Sequence, residues 1–167
     1  AYSRGVFRPR VFFDSGTGTS FFARAGVTLE GREGGTIDDA VLPASGLAYR
    51  EALDTRRFDA AAVAQAPLHR KYVASLRFAA TRQGHDHQFG DVIERDRHDT
   101  AFGEVALRGT AGPHTWVVGA AIERDAYRPR DVEAFAYTFT VPGVFAQDDV
   151  DIREWLSVSA SARLDHH

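Results

Sequence analysis

The chain contains no cysteine among its 167 residues, so neither a disulfide framework nor a thiolate metal site can hold it together. It also lacks any long apolar run. The most apolar window, "DAAAVAQAPL", is short and broken by Gln65 and Pro67, whereas a membrane-crossing helix needs about 20 apolar residues in a row. Helical spans are thereby excluded. Membrane-spanning strands are not, because each needs only about 9 to 11 residues and half of those can be polar. Charge of one sign is missing too: 20 basic and 23 acidic residues are interspersed and leave a net charge of −3, so no basic footprint for a nucleic acid exists and no nucleic-acid partner is expected. A mean hydropathy of −0.29 suits a soluble domain and a membrane barrel equally.

What is present is alternation. In "EWLSVSASARLDHH", Leu156, Val158, Ala160, Ala162 and Leu164 alternate with Ser157, Ser159, Ser161, Arg163 and Asp165, the period of a strand with one apolar face. The same rhythm sets Phe21, Ala23, Ala25, Val27 and Leu29 against Arg24, Gly26, Thr28, Glu30 and Arg32, and Tyr72, Ala74, Leu76, Phe78 and Ala80 against Ser75, Arg77, Ala79 and Thr81. Eight such segments run along the chain without a helical stripe between them, although Phe102, Val117 and Phe145 fall in the polar phase. No domain boundary is visible. The expected fold is all-β: an antiparallel up-and-down sheet of about eight strands spanning residues 1–167.

The connections alternate in expected length. "DSGTG", "PLHR", "TAGP" and "DIR" read as tight hairpin turns. "EGGTIDDAVLPASGLAYREALD", "GHDHQFGDVIERDR" and "RPRDVEAFAYTF" read as long loops, and long loops are usually functional. Short turns at one end and long loops at the other is the layout of an outer-membrane barrel. Aromatics reinforce it: Phe12, Phe13, Phe21, Phe22, Tyr72, Trp116 and Trp155 all fall beside the short turns, where an aromatic girdle would meet one membrane face. Aromatics also favour strand ends near hairpins in any β domain.

The phrase "VPGVFAQDDVDIREWLSVSASARLDHH" resembles a barrel hairpin of TonB-dependent outer-membrane receptors, and "RPRVFFDSGTGTSFFARAGVTLEGREGGT" and "EALDTRRFDAAAVAQAPL" are similar to neighbouring hairpins of that barrel. The resemblance implies a barrel of about 22 strands around a plug domain, of which this chain supplies part of the wall. No plug-like segment or TonB box is visible. The strand pattern is still running at "LDHH", which leads to the expectation of a piece of a longer protein, with His166 and His167 either native or a tag remnant. The resemblance further implies the outer membrane of a Gram-negative bacterium, the TonB system, the plug domain and outer-membrane lipid as partners, and active uptake of a scarce nutrient, with a ferric siderophore as the expected cargo. Exposed sheet edges lead to the expectation that the isolated piece self-associates.

The polar phase agrees with a wide wet lumen. It combines small residues that fill little space with charges such as Arg24, Arg77, Glu104, Glu123 and Arg163, which a dry core would accept only if every one were paired. Arg24, Arg77 and Arg163 are expected to hold the plug or pair with neighbouring acids. Two alternatives stay open: a soluble β-sandwich binding module, and a complete eight-stranded outer-membrane barrel.

For ligand contact the candidates are the loop residues Tyr49, Arg50, His85, Arg128, Arg130 and Tyr137, whose charge and rings suit an anionic aromatic ligand. His85, His87 and His98 form a weak metal candidate without the spacing of a known closed site, and a solvated loop explains them equally well. No cofactor is expected, and no enzyme. The adjacent acids Asp38–Asp39 and Asp148–Asp149 would diverge on a strand, "GTGTS" precedes a strand rather than a phosphate-cradling helix, and no catalytic triad pattern appears.

Overall fold

In the computed structural model, which describes residues 1–36 and 49–166, the chain is one antiparallel sheet. Its strands are β1 (Tyr2–Phe7), β2 (Arg10–Asp14), β3 (Ser20–Gly35), β4 (Arg50–His69), β5 (Tyr72–Phe89), β6 (Val92–Ala111), β7 (His114–Pro129), β8 (Tyr137–Arg153) and β9 (Leu156–Asp165). β1 and β2 both pair with β3, and from β3 onward each strand pairs with its sequence neighbour in an up-and-down order, with β1 and β9 at opposite ends. The sheet is not closed. The segment 37–48, which includes Asp38 and Asp39, and His167 lie outside the described residues.

Nine strands replace the expected eight because "GVFRPRVFF" is interrupted at Arg8–Pro9. Proline has no amide hydrogen for the ladder. Yet Phe7 pairs with Val27 and Arg10 with Arg24, so the register and the facing of side chains run unbroken through the gap. The Pro9 carbonyl still accepts from the Ala25 amide. The sheet is therefore eight strands wide.

A second correction concerns "GHDHQFGDVIERDR", expected as a long loop. It is the tip of a tall hairpin: β5 runs up to Phe89, β6 restarts at Val92, and Gly90–Asp91 make a two-residue turn. Gly90 has φ +58°, the left-handed conformation that a two-residue hairpin turn requires at its first central position. Gly112 does the same at φ +60° between β6 and β7. "RPRDVEAFAYTF" is shortened by strand at both ends, where β7 runs to Pro129 and β8 starts at Tyr137, leaving 130–136 as the connection with one 3-10 turn at Glu133–Phe135. In the first short turn the Asp14 carboxylate accepts from the Gly16 amide, and Ser15 Oγ accepts from the Thr17 and Thr19 amides.

Direct ladder partners share a face, so register assigns every side chain. Crossing from Ala25 leads through Ala60, Ala80 and Ala101, and crossing from Phe21 leads through Ala64, Leu76, Val105, Ala120, Val144 and Leu164. This is the apolar face. Its uninterrupted apolar phase covers Phe21–Leu29, nine residues, on β3, Tyr72–Ala80, nine residues, on β5 and Ala101–Ala111, eleven residues, on β6. The opposite, polar face carries Arg77 against Glu104, Asp149 against Ser159 and Phe145 against Arg163.

The strands are also staggered. A line drawn straight across the ladder from Val27, in the middle of β3, passes Phe58, Arg82, Asp99 and Ala126 and ends on Thr138, the second residue of β8. Progressive stagger of this kind accompanies strands tilted against a barrel axis.

The sheet has no second layer among the described residues. Its buried hydrophobic residues are Ala121 and Ala126, and no large side chain is fully buried. Phe58, Leu76, Val105 and Ile122 are each about half exposed on the apolar face. Soluble domains bury such a face against another layer. This one presents it uncovered.

Candidate functional site

Above the apolar band, β5 to β8 carry a polar and aromatic network on the polar face. Ladder pairing sets His85 opposite Asp96, Gln83 opposite His98, His98 opposite Tyr127, Thr100 opposite Asp125, and Tyr127 opposite Tyr137. The Gln83 side-chain nitrogen, which can only donate, lies 2.7 Å from His85 Nε2. His85 Nε2 therefore accepts, and Nδ1 carries the proton given to Asp96 Oδ1 at 2.9 Å. The Tyr127 hydroxyl reaches the other Asp96 oxygen at 3.4 Å. His98 Nε2 and Asp125 Oδ1 lie 2.6 Å apart.

Rings cover this polar floor. Tyr127 and Tyr137 stack at 5.7 Å, and His98 meets each of them edge-on at 6.0 and 6.4 Å. Phe139 continues the row at 5.0 Å from Tyr137. The ladder holds these rings in order, since cross-strand neighbours on one face sit about 5 Å apart. The patch offers a planar ligand stacking surfaces, while its carboxylates already hold the imidazole protons. Neither imidazole has a hydroxyl among its hydrogen-bond partners in the described residues.

The candidate residues do not converge on this patch. His85 and Tyr137 belong to it, linked through Asp96 and Tyr127. Arg128 shares the phase of Ile122 and so projects on the apolar face, where its Nη1 lies 3.6 Å from Asp99. Arg50 is also on that face and donates to Glu33 at 2.7 Å. Tyr49 is exposed at the foot of the β3–β4 connection, its backbone amide donating to Thr36 Oγ1. Arg130 gives its backbone amide to the Arg95 carbonyl. His87 lies on the polar face but pairs with Glu51 at 3.8 Å and packs on Phe89. Among the described residues, no group of three or more His, Cys, Asp or Glu side chains is arranged to hold a metal ion.

Asp96, Asp125 and Tyr127 were missed by sequence reasoning. Their signal was the pair "GD" between two runs of even spacing, a two-residue hairpin turn. Once that turn is placed, pairing alone brings Asp96 to His85.

Lower on the polar face, ion pairs link strands or neighbours on one strand. Arg77 meets Glu104 at 3.2 Å, and Arg163 meets Asp165 at 2.9 Å, while Arg24 has no carboxylate in range among the described residues. No protein-family model matches the chain, and no curated protein matches it significantly. At the short-turn end, Phe12 and Phe22 pack at 4.9 Å, and Tyr72 and Trp116 at 6.0 Å. The latter pair meets across Gly109, which lies between them in the ladder. A Cβ at Gly109 would overlap the Trp116 ring.

Proposed function

We propose that the chain is a portion of the barrel wall of an outer-membrane, TonB-dependent uptake receptor, with its apolar face toward lipid and its polar face toward the lumen. One observation carries this reading. The sheet is a single layer whose apolar face is uncovered and nine to eleven residues tall on β3, β5 and β6, the height at which strands cross a bilayer. Among the described residues no helix is long and apolar enough to cross a membrane, and strands are the spanning element proposed. Open edges in hydrocarbon would leave backbone groups unpaired, so the free edges of β1 and β9 are expected to pair with further strands of the same wall.

The absence of native cysteine makes a direct test available. Single cysteines placed in turn at Leu76, Arg77, Phe78 and Ala79 are spin-labelled in liposomes. The labels at 76 and 78 should respond to oxygen dissolved in lipid, and those at 77 and 79 to a water-soluble relaxant. Labels at 76 and 78 that are reached by neither reagent would place this face in a protein core, and the soluble sandwich would replace the barrel.

For the cargo, we infer a small ligand bearing planar aromatic or conjugated groups, with a ferric siderophore as the leading case. The stacked Tyr127–Tyr137 pair beside His98 supports this. Tyr137→Ala in the full-length receptor should weaken binding of a ferric catecholate by about tenfold, the usual consequence of removing a stacking anchor. Tryptophan-quenching titration reads the change. Unaltered affinity would remove the patch from the ligand path.

A further inference from the structure

We propose that the apolar face carries, at its upper rim, a binding site for the phosphorylated headgroup of a membrane lipid, whose acyl chains lie in the groove beside it. The inference rests on the lipid-facing orientation of that face. The groove has a volume of about 800 Å³. Ala25, Ala60, Ala80 and Ala101 form its floor, and Phe7 and Phe58 contribute to its apolar wall. Along its other side stand Arg82, Arg124 and Arg128. An apolar trough that ends in guanidinium groups matches an amphiphile with an anionic head.

Arginine outnumbers acid in the rows that cross the groove, although Asp59 also lines it and the next row above carries Asp54 and Asp86 beside Arg95. Asp99 is the single acid among Arg56, Arg82, Arg97, Arg124 and Arg128 in the three ladder rows that cross Ala25, Val27 and Leu29. Its Oδ1 accepts from Arg82 Nε at 2.7 Å, and its Oδ2 serves both Arg97 at 3.0 Å and Arg128 at 3.6 Å. Three guanidinium groups thus share one carboxylate. Arg56 and Arg124 have no carboxylate in ion-pair range among the described residues. Positive charge left over at the boundary of an apolar band attracts anions there, and the planar donor fork of arginine fits phosphate oxygens. A free phosphate would have no use for the alanine floor, which is why a lipid is the expected occupant.

The test reconstitutes the protein in phosphatidylcholine bilayers that contain a trace of spin-labelled phosphatidic acid or of spin-labelled phosphatidylcholine. The fraction of motionally restricted label gives the relative affinity. Phosphatidic acid should be favoured by at least about fivefold, on the order of one well-placed arginine. The variant Arg82→Gln/Arg124→Gln/Arg128→Gln should bring the ratio close to one. Asp99→Asn, which releases three guanidinium groups, should raise it, whereas a network with only a structural role would not. Inorganic phosphate at matched concentration should leave the restricted fraction unchanged. A ratio near one in the unaltered protein overturns the headgroup site, and displacement by inorganic phosphate replaces the lipid with a free anion. Absence of restricted label of either kind would instead overturn the membrane orientation itself.

Discussion

Phe78 and Ala79 are neighbours in sequence and opposites in surroundings. Phe78 stands on the apolar face between Ala62 and Gly103, while Ala79 stands on the polar face between Ala61 and Phe102, beside the Arg77–Glu104 pair. A water-soluble sheet would cover the first environment and solvate the second. Here neither face has a covering layer among the described residues, and the two differ in chemistry. In the proposed barrel wall, lipid on one side and lumen water on the other would supply the difference between the faces. Substitutions that exchange those chemistries are the sharpest way to break it.

The largest effect is expected from a charge placed in the apolar band. Phe78→Arg should destabilise the protein in phospholipid bilayers by about 2–4 kcal/mol, the range for arginine at mid-depth on a lipid-facing strand. Ala79→Arg, one residue away, should change stability by under about 1 kcal/mol, because the polar face already accommodates Arg77 and Arg24. Urea titration of the bilayer-inserted protein reads both. Equal effects at the two positions would mean that both faces meet the same solvent, and the barrel wall would be lost as an explanation.

A smaller effect separates two glycines of β6, both on the apolar face. Gly109 lies between Tyr72 and Trp116, and a side chain there would meet the indole ring. Gly103 has room, since the nearest atom to an added Cβ is Ile122 Cγ2 at 3.7 Å. Gly109→Val should therefore cost about 1–3 kcal/mol by forcing the rings apart, with a shift in tryptophan emission. Gly103→Ala should stabilise by about 0.5–1 kcal/mol, since glycine within a strand loses more backbone freedom on folding than alanine. If Gly109→Val left both emission and stability unchanged, the Tyr72–Trp116 contact would have no role in setting the membrane boundary.

On the polar face the corresponding effects are modest. Arg77 is mostly exposed and Glu104 is 12% exposed. Removing the arginine strands a nearly buried carboxylate, whereas removing the glutamate releases a cation to water. Arg77→Ala should accordingly destabilise more than Glu104→Ala, and the coupling from a double-mutant cycle should stay under about 1 kcal/mol given the exposed partner. A coupling of several kcal/mol would show this face to be dry.

The lower half of the sheet was legible from sequence because its two faces differ. The alternation of Phe21 to Leu29 and of Leu156 to Leu164 fixed both strand type and facing. Two of the three apparent exceptions have a partner small enough to admit them, since Phe145 lies over Gly119 and Phe102 sits opposite Ala79, whereas Val117 stands between Arg108 and Gln147. The upper half was not legible for the same physical reason in reverse. Above the apolar band both faces of β5 and β6 are polar, so "GHDHQFGDVIERDR" has no hydrophobic alternation to betray a strand and reads as a loop. The His85–Asp96 and His98–Asp125 pairs depend on that hidden register. Arg128 and Arg50 were assigned to ligand contact by residue type, which says nothing about face.

The smallest expected effect lies above the band altogether, where the 130–136 connection meets β6 beyond the apolar phase that begins at Ala101. Arg95 Nη2 donates to Asp131 Oδ1 at 2.8 Å, and the Arg95 backbone amide donates to Oδ2 at 2.7 Å. The Arg95 side-chain hydrogen bond holds the Asp131 carboxyl below the usual aspartate range, with the backbone hydrogen bond adding to it. A depressed native pKa means that the unfolded state binds more protons as the solution is acidified. The anchor is thus fully present above the ordinary aspartate pKa and is lost only as pH falls through the lowered native value. Hydrogen exchange at the Arg95 amide should stay protected at neutral and mildly acidic pH and open below the aspartate range, while amides of the band, such as Leu107, keep their protection. Asp131→Asn should abolish this pH dependence and leave the band untouched. If the band opened with the loop, the upper polar half and the lower half that carries the apolar face would be one cooperative unit, and the division between them would be chemical but not mechanical.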